Sequence, residues 1–269
     1  MIDGLHTLLS GYGTWVEMSS SVALLVKDRV RVLFDTGADA EKHNLIKALD
    51  ALNLRPEDID IVVNTHLHMD HCENNPIFTK ARWYCSDVAH DGLIELVVAL
   101  NTAPADLKAI AARYLALPGG MPKTLYERVE RFLVRRAIPE KILRTRRVGQ
   151  RELNQLGIGV IDTPGHCDGH VSFVCLDVRK HTDVVFAGDA IISRDHFQPG
   201  RRALFTKNDR LAERSKEQLA ALSGWCLPGH GAAFLLPDRG AAPIGSTQNH
   251  YSLRDTDKFL DQRQSRGAF

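Results

Sequence analysis

Val62-Val63-Asn64-Thr65-His66-Leu67-His68-Met69-Asp70-His71 carries three imidazoles and a carboxylate within its last six residues. The apolar run before them reads as the end of a buried strand. His66 and His68 alternate, so an extended backbone projects both to the same side. Asp70 and His71 follow where the chain must turn, and they reach a neighbouring point from another angle. One segment thus offers two close-set nitrogen and oxygen clusters, which suits a pair of divalent ions. Imidazole and carboxylate donors favour Zn, Fe, Mn or Co over a soft thiolate site. The plain alternative is a chance cluster of surface histidines.

Working outward, residues 21–26 and 30–34 are short β-rich runs joined by Lys27-Asp28-Arg29, a hairpin signal that ends in Asp35-Thr36-Gly37. Glu41 to Leu52 carries Leu45, Ile46, Leu49 and Leu52 at helical spacing. Residues 59–63 form the strand that delivers the histidines, and Arg82 to Cys85 reads as another. From Ser86 to about Ile138 the spacing predicts three helices and no strand. Ser86-Asp87 caps the first, Thr102 with Pro104 opens the second, and Pro122 opens the third, which Pro139 closes. The first helix is apolar nearly all round over Leu93–Leu100, which predicts burial against the main body or against a second copy. Strands resume at 157–161, 171–176 and 184–187, with a helix over 211–222 and a short apolar run at Trp225-Cys226-Leu227. Beyond Pro237 the composition predicts a loosely packed tail over 238–269, with a short helix near Leu253–Leu260.

Composition sets the bounds. A chain of 269 residues with 44% hydrophobic and 25% charged residues has room for one large α/β domain or two small ones, and the expectation is one domain over 1–269 with the helical insertion at 86–138 inside it. The formal net charge of +1 gives no global pull toward nucleic acid or membrane. No apolar run approaches the roughly 20 residues of a membrane span, and the start lacks the regions of a signal peptide. Five scattered cysteines without a CxxC pair argue against a disulfide framework, so a cytoplasmic protein with free thiols is expected. Residues 101–151 hold twelve Lys or Arg against four Asp or Glu, an excess of eight. That segment is either a solvated helix face or a positive rim for anionic substrates.

Three more donors stand at strand ends on Gly-flanked turns. They are His166 in Asp162-Thr163-Pro164-Gly165-His166, Asp189 after Gly188, and His230 in Gly229-His230-Gly231. Together with Asp35-Thr36-Gly37 and His66-x-His68-x-Asp70-His71, they match in order the five motifs of the metallo-β-lactamase superfamily, and the resemblance covers roughly residues 20–235.

That resemblance implies an α/β (α+β) fold, the αββα sandwich, with metals at one edge of two facing sheets. It implies that His66, His68 and His166 hold one metal, that Asp70, His71 and His230 hold the second, and that Asp189 bridges both. It gives Asp35 the task of ordering the ligand loop by hydrogen bonds, and sets His170 behind the ligands rather than among them. The expected chemistry is hydrolysis by a hydroxide bridging two divalent ions, most simply Zn with Fe or Mn as alternatives, with Asp70 carrying the proton. Asp189 stands where the extracellular β-lactamases with a Cys ligand would place it, which argues against antibiotic hydrolysis. Asp189-Ala190-Ile191-Ile192 lacks the Tyr of the acyl-homoserine lactonases, and Cys72-Glu73-Asn74 departs from the glyoxalase II pattern. Asp70-His71-x-x-Asn74-x-x-x-Phe78 and Pro228-Gly229-His230-Gly231-x-x-Phe234 are similar to the small metallo-β-lactamase-domain-containing hydrolases of animals.

Three functions follow. The first is a hydrolase of a small-molecule ester, lactone, thioester or phosphoester, with the insertion as a lid or pocket wall. The second is a phosphodiesterase or endoribonuclease that holds RNA on the basic segment 101–151. The third is a redox or non-catalytic metal protein on the same scaffold. Ser193, Arg194 and His196 follow Asp189 closely enough to touch substrate, Arg194 through a bidentate hold on an anionic group. No membrane partner is expected, and the apolar first helix of the insertion suggests a homodimer.

Overall fold

The computed structural model describes residues 4–13, 17–102, 145–147, 150–177, 182–197 and 206–236. The strands among them are β1 (Gly4–Leu9), β2 (Tyr12–Gly13), β3 (Met18–Ser19), β4 (Val22–Lys27), β5 (Val30–Phe34), β6 (Ile61–Val63), β7 (Arg82–Cys85), β8 (Thr145–Arg147), β9 (Ile158–Asp162), β10 (Val171–Asp177), β11 (Thr182–Gly188), β12 (Gly224–Pro228) and β13 (Phe234–Leu236). They form a six-stranded sheet in the order β1-β4-β5-β6-β7-β8, a five-stranded sheet in the order β13-β12-β11-β10-β9, and the small β2-β3 pair.

Period-two alternation decides which face each residue serves. In the first sheet Val22, Leu24, Val26, Leu33 and Val62 point to one side, where they pack on Leu45, Ala48 and Leu49 of helix α1 (Lys42–Asp50). Their neighbours Ala23, Val32, Phe34, Ile61 and Val63 point to the other side and meet Val171, Phe173, Val184 and Phe186 of the second sheet. Phe34 stacks on Phe186 with ring centroids 4.0 Å apart. Val185 and Ala187, one residue out of phase, face outward with Leu219 of the helix Asp209–Ala220. The order of layers is therefore helix, sheet, sheet, helix, the αββα sandwich.

Helix α2 (Met69–Cys72) is a single turn after β6. Helix α3 (Asp87–Thr102) matches the first predicted helix of the insertion, and Ser86 Oγ accepts from the Ala89 amide at 3.1 Å as its cap. Burial of that helix is incomplete, since Val88, Ile94 and Val98 are exposed. Helix α4 (Gln150–Gln155) precedes β9, and α5 is the helix Asp209–Ala220 already named. Two elements between Ser86 and β9 carry no sequence signal of their own. Strand β8 is a polar three-residue edge held by parallel pairing to β7, and α4 is one and a half turns long. The predicted second and third helices, most of the basic segment and the tail lie outside the described residues. The five cysteines are free thiols, and among the described residues no helix is long and apolar enough to cross a membrane.

Candidate metal centre

Parallel pairing of β5 with β6 brings the ends of both strands together, and the site starts there. The Asp35 amide donates to Val63 O at 2.9 Å, and Asp35 turns the chain with a left-handed φ of 52°, a conformation Asp tolerates better than most residues. Its carboxylate accepts from the Thr65 amide and hydroxyl, each at 2.8 Å, and from His71 Nδ1 at 2.8 Å. His71 therefore carries its proton on Nδ1 and turns Nε2 into the site. Behind this ring Asn75 Nδ2 donates to Asn64 Oδ1 at 2.7 Å, Asn64 Nδ2 to His71 O at 3.2 Å, and Thr36 Oγ1 to Asn75 Oδ1 at 2.8 Å. Asn74 Nδ2 ties down the carbonyl of Ala38 at 2.7 Å.

The second sheet supplies the rest. His166 sits on the loop after β9, which α5 and the residues leading into it brace from behind: the Lys207 amide donates to His166 O at 3.0 Å and Ser215 Oγ of α5 to Pro164 O at 2.7 Å. A β-carbon on Gly165 would stand 2.1 Å from the Ala212 amide, so only glycine permits that approach. Asp189 follows β11, and the Asp189 amide donates to His170 Nε2 at 3.0 Å. His230 follows β12 and directs Nδ1 to the carbonyls of Tyr12 and Ser19 at 2.9 and 3.0 Å, which fixes Nε2 toward the site. Backbone bonds also cross between the two halves, Val171 N donating to Thr65 O at 2.9 Å and Ser21 N to Gly229 O at 2.7 Å.

These seven residues converge. One ligand atom each from His66, His68 and His166 lie within 4.8 Å of one another, and so do those of Asp70, His71 and His230. Asp189 stands between the two triads. Its Oδ1 is 3.2 Å from His71 Nε2 and 3.3 Å from His230 Nε2, while its Oδ2 is 3.3 Å from His166 Nε2. Asp70 Oδ2 is 3.4 Å from His230 Nε2.

The donor set suits metal binding. His66 Nε2 is buried with no hydrogen-bond partner among the described residues, and His71 Nε2 and Asp189 Oδ1 are buried and face only other ligand atoms, with no well-aligned hydrogen bond. Each such group costs about 1–3 kcal/mol when left unsatisfied, which a coordinated ion would offset. Burial drives His66 and His166 well below the ordinary imidazole value, so both present bare nitrogens at neutral pH. Burial also opposes charge on His71 and His230 and is the largest single influence on each, yet Asp189 with Asp35 and Asp70 at His71, and Asp189 with Asp70 at His230, together outweigh it, and both values rise. Asp189 is held well below the carboxylate range against its own burial, by His230, His71 and His166.

The remaining predicted residues lie around this centre. His170 is buried, with Nδ1 2.8 Å from Thr163 Oγ1, and burial pushes its pKa down to about 3. Ser193 lies beside Gly231, and Arg194 and His196 belong to the short turn Arg194–Phe197. His196 is buried with Nδ1 taken up by the Ile192 amide at 3.4 Å, and burial beside Lys216 lowers its pKa to about 4. Its ring therefore supports its own turn. Cys72 Sγ points back to the carbonyl of His68, away from the ligand atoms. The sequence reading missed Thr163, Ser172 and the Asn64–Asn75 pair, all buried amides or hydroxyls, a residue class that marks function only when partners are known. It also missed the carbonyls of Tyr12 and Ser19, which leave no trace in residue identity.

The model of the metallo-beta-lactamase superfamily matches residues 15–230. Over 55 residues, 20% of this chain, the sequence is 53% identical to a probable metallo-hydrolase of Methanocaldococcus jannaschii, 27% of which is covered. Over 215 residues, 80% of this chain, it is 27% identical to metallo-beta-lactamase domain-containing protein 1 of Mus musculus. The chain spans 65% of that mouse protein's length. The structure of AidC, a dizinc quorum-quenching lactonase in complex with a product, superposes with a TM-score of 0.57 at 18% identity, covering 86% of this chain and 80% of that one.

Proposed function

The chain belongs to the metallo-β-lactamase superfamily, and from that premise we propose that it is a metal-dependent hydrolase with two divalent ions, acting on a small-molecule ester, lactone, thioester or phosphoester. Zinc is the first choice of ion, with iron or manganese as alternatives. The observation that carries this reading is the position of Asp189, whose two oxygens face different triads at 3.2–3.3 Å. His66, His68 and His166 would hold one ion, Asp70, His71 and His230 the other, and Asp189 both. Zinc in the AidC lactonase, a dizinc protein of the same fold, and the metallo-hydrolase name of the archaeal relative support the reading.

The chemistry that two divalent ions held there would supply is a water acidic enough to yield a nucleophile near neutral pH and a polarised substrate oxygen. The side chains do the rest. Asp35 and the carbonyls of Tyr12 and Ser19 hold the Nδ1 protons of His71 and His230, leaving each Nε2 as a donor atom. Asp70 is buried, with Oδ2 3.4 Å from His230 and 3.7 Å from His71, and is the group placed to take a proton from the attacking water and pass it to the leaving group. Rigid mounting on strand ends keeps these atoms in place through the reaction.

The phosphodiesterase or endoribonuclease alternative rests on the basic segment 101–151, almost all of it outside the described residues. The redox or non-catalytic alternative requires no complete second triad, whereas Asp70, His71 and His230 come within 4.8 Å of one another. A homodimer through the insertion belongs to the same proposal, supported by the exposed Val88, Ile94 and Val98. A cytoplasmic setting also belongs to it, supported by the five free thiols. The deciding experiment is metal analysis of the purified protein, followed by assay on a panel of esters, lactones, thioesters, phosphodiesters and single-stranded RNA. Two equivalents of metal and turnover of a small ester or lactone, both lost in Asp189→Ala, are expected. An unchanged rate in Asp189→Ala would place the catalytic centre elsewhere.

A further inference from the structure

Thr163, His170 and Ser172 contribute no atom to either triad, yet all three are almost fully buried beside Asp189. Ser172 Oγ is 2.9 Å from Ala187 O, Thr163 Oγ1 is 2.9 Å from Ser172 Oγ, and His170 Nδ1 is 2.8 Å from Thr163 Oγ1. His170 Nε2 is 3.0 Å from the Asp189 amide. The direction of every bond is forced. A carbonyl oxygen only accepts, so the single hydroxyl proton of Ser172 goes to Ala187 O. Ser172 Oγ must then accept from Thr163, whose own proton is thereby used. Thr163 Oγ1 is left as an acceptor, and the proton it receives is on His170 Nδ1. His170 Nε2 is therefore a bare lone pair, which is what the Asp189 N–H requires.

We propose that Ser172, Thr163 and His170 form a one-way hydrogen-bond chain that locks the His170 tautomer and thereby aims Asp189 between the two triads, with His170 as the positioning residue. The proposal rests on the reading of Asp189 as a ligand shared by two ions. The chain begins and ends on the same strand terminus, at Ala187 O and Asp189 N, so it clamps the corner at Gly188 from both sides. Gly188 has φ 51°, and a β-carbon there would stand 2.8 Å from His170 Nε2 and 2.8 Å from Thr65 Oγ1. Glycine at 188 is thus what lets the imidazole reach the Asp189 amide. The opposite tautomer would set N–H against N–H at that point and push the corner away from His71 and His166.

The test reads the tautomer and the metal separately. Long-range proton–nitrogen spectra of the metal-free and zinc-loaded protein, with the His170 signal assigned by its loss in His170→Gln, are expected to show Nδ1–H and an unprotonated Nε2. Zinc affinity, measured against a chromogenic chelator, is expected to fall about tenfold in Thr163→Val and in Ser172→Ala, neither of which touches a ligand. Thr163→Ser and Ser172→Thr, which keep the hydroxyl, are expected to restore it. Either an Nε2–H tautomer or wild-type affinity in Thr163→Val and Ser172→Ala would overturn the proposal. A wild-type count below two ions would overturn the two-ion reading, and the tautomer in the metal-free protein would still decide this one. Ser172→Ala, the smaller change, serves where Thr163→Val folds poorly.

Discussion

Asp35 Oδ2 accepts the Nδ1 proton of His71 at 2.8 Å, and this bond turns the opposite edge of the ring to Asp189 at 3.2 Å. Removing the carboxylate frees the ring to rotate and leaves the Thr65 amide without its acceptor. Asp35→Ala is expected to weaken zinc binding by about 10–100-fold, with a parallel loss of hydrolysis. Asp35→Asn should fall between, since Asn tolerates the left-handed backbone and keeps one acceptor for Thr65. Chelator competition on both variants checks the order, and wild-type affinity in Asp35→Ala would reduce the residue to a fold element.

Gly229 passes so close to Asp189 that an added β-carbon would stand 2.0 Å from Oδ1 and 2.9 Å from the carbonyl carbon of Gly188. Backbone cannot yield there, so the carboxylate must. Gly229→Ala is expected to lower kcat/KM on the order of 100-fold, the penalty for displacing a reacting group by about 1 Å. Gly159→Ala is the control, because its added carbon meets nothing nearer than 3.7 Å. Equal activity in the two variants would remove the steric argument.

Proton linkage separates the triads. Burial disfavours charge on His71 and His230, but Asp189 and the other carboxylates raise both above the ordinary value, His71 well above it, so each holds a second ring proton to higher pH than a free imidazole when metal is absent. An ion needs the bare nitrogen, so binding at Asp70, His71 and His230 must release protons. Affinity there should climb as pH rises through those raised values and fall as pH drops. His66 and His166, pushed well below the ordinary value chiefly by burial, are already bare. Zinc titrations between about pH 6 and 8 should therefore lose one equivalent before the other on acidification. Calorimetry in buffers of different ionisation enthalpy measures the proton count directly. Two equivalents with identical pH dependence would contradict this.

Phe34 stacks on Phe186 at 4.0 Å and meets Phe173 at 5.5 Å, which makes it the pin between the two sheets. Phe34→Ala is expected to cost about 3–5 kcal/mol in urea unfolding, and Phe34→Leu clearly less. Since Asp35 follows directly, zinc affinity should drop in Phe34→Ala as well. A stability loss without any change in affinity would show that the strand end keeps its position without the ring.

Where the chain alternates or repeats at helical spacing, its residues announce their own elements. The hairpin β4–β5, helix α1, strand β7, strands β9 to β11 and helix α5 lie within a few residues of where apolar spacing puts them. Strand β8 and the β2–β3 pair do not announce themselves. A three-residue polar strand such as Thr145–Arg147 owes its conformation to pairing with β7, and pairing is a property of the neighbour. The same contrast runs through the site. A histidine or aspartate on a glycine-flanked turn is visible as a donor, whereas Ser172 and Asn64 look like any other polar residue until their partners are known.

Sequence alone determined the chemical inventory: which donors exist, that they are nitrogen and oxygen rather than sulfur, and that strand ends carry them. It did so because ligand chemistry is a property of the side chain itself. Only the tertiary structure decided that residues as far apart as Tyr12 and His230 share a hydrogen bond. It also decided that Asp189 faces two triads at once and that His170 has but one tautomer open to it. Those facts are distances and bond directions between strands of different sheets, and they arise when burial of apolar faces such as Phe34 on Phe186 drives the sheets together.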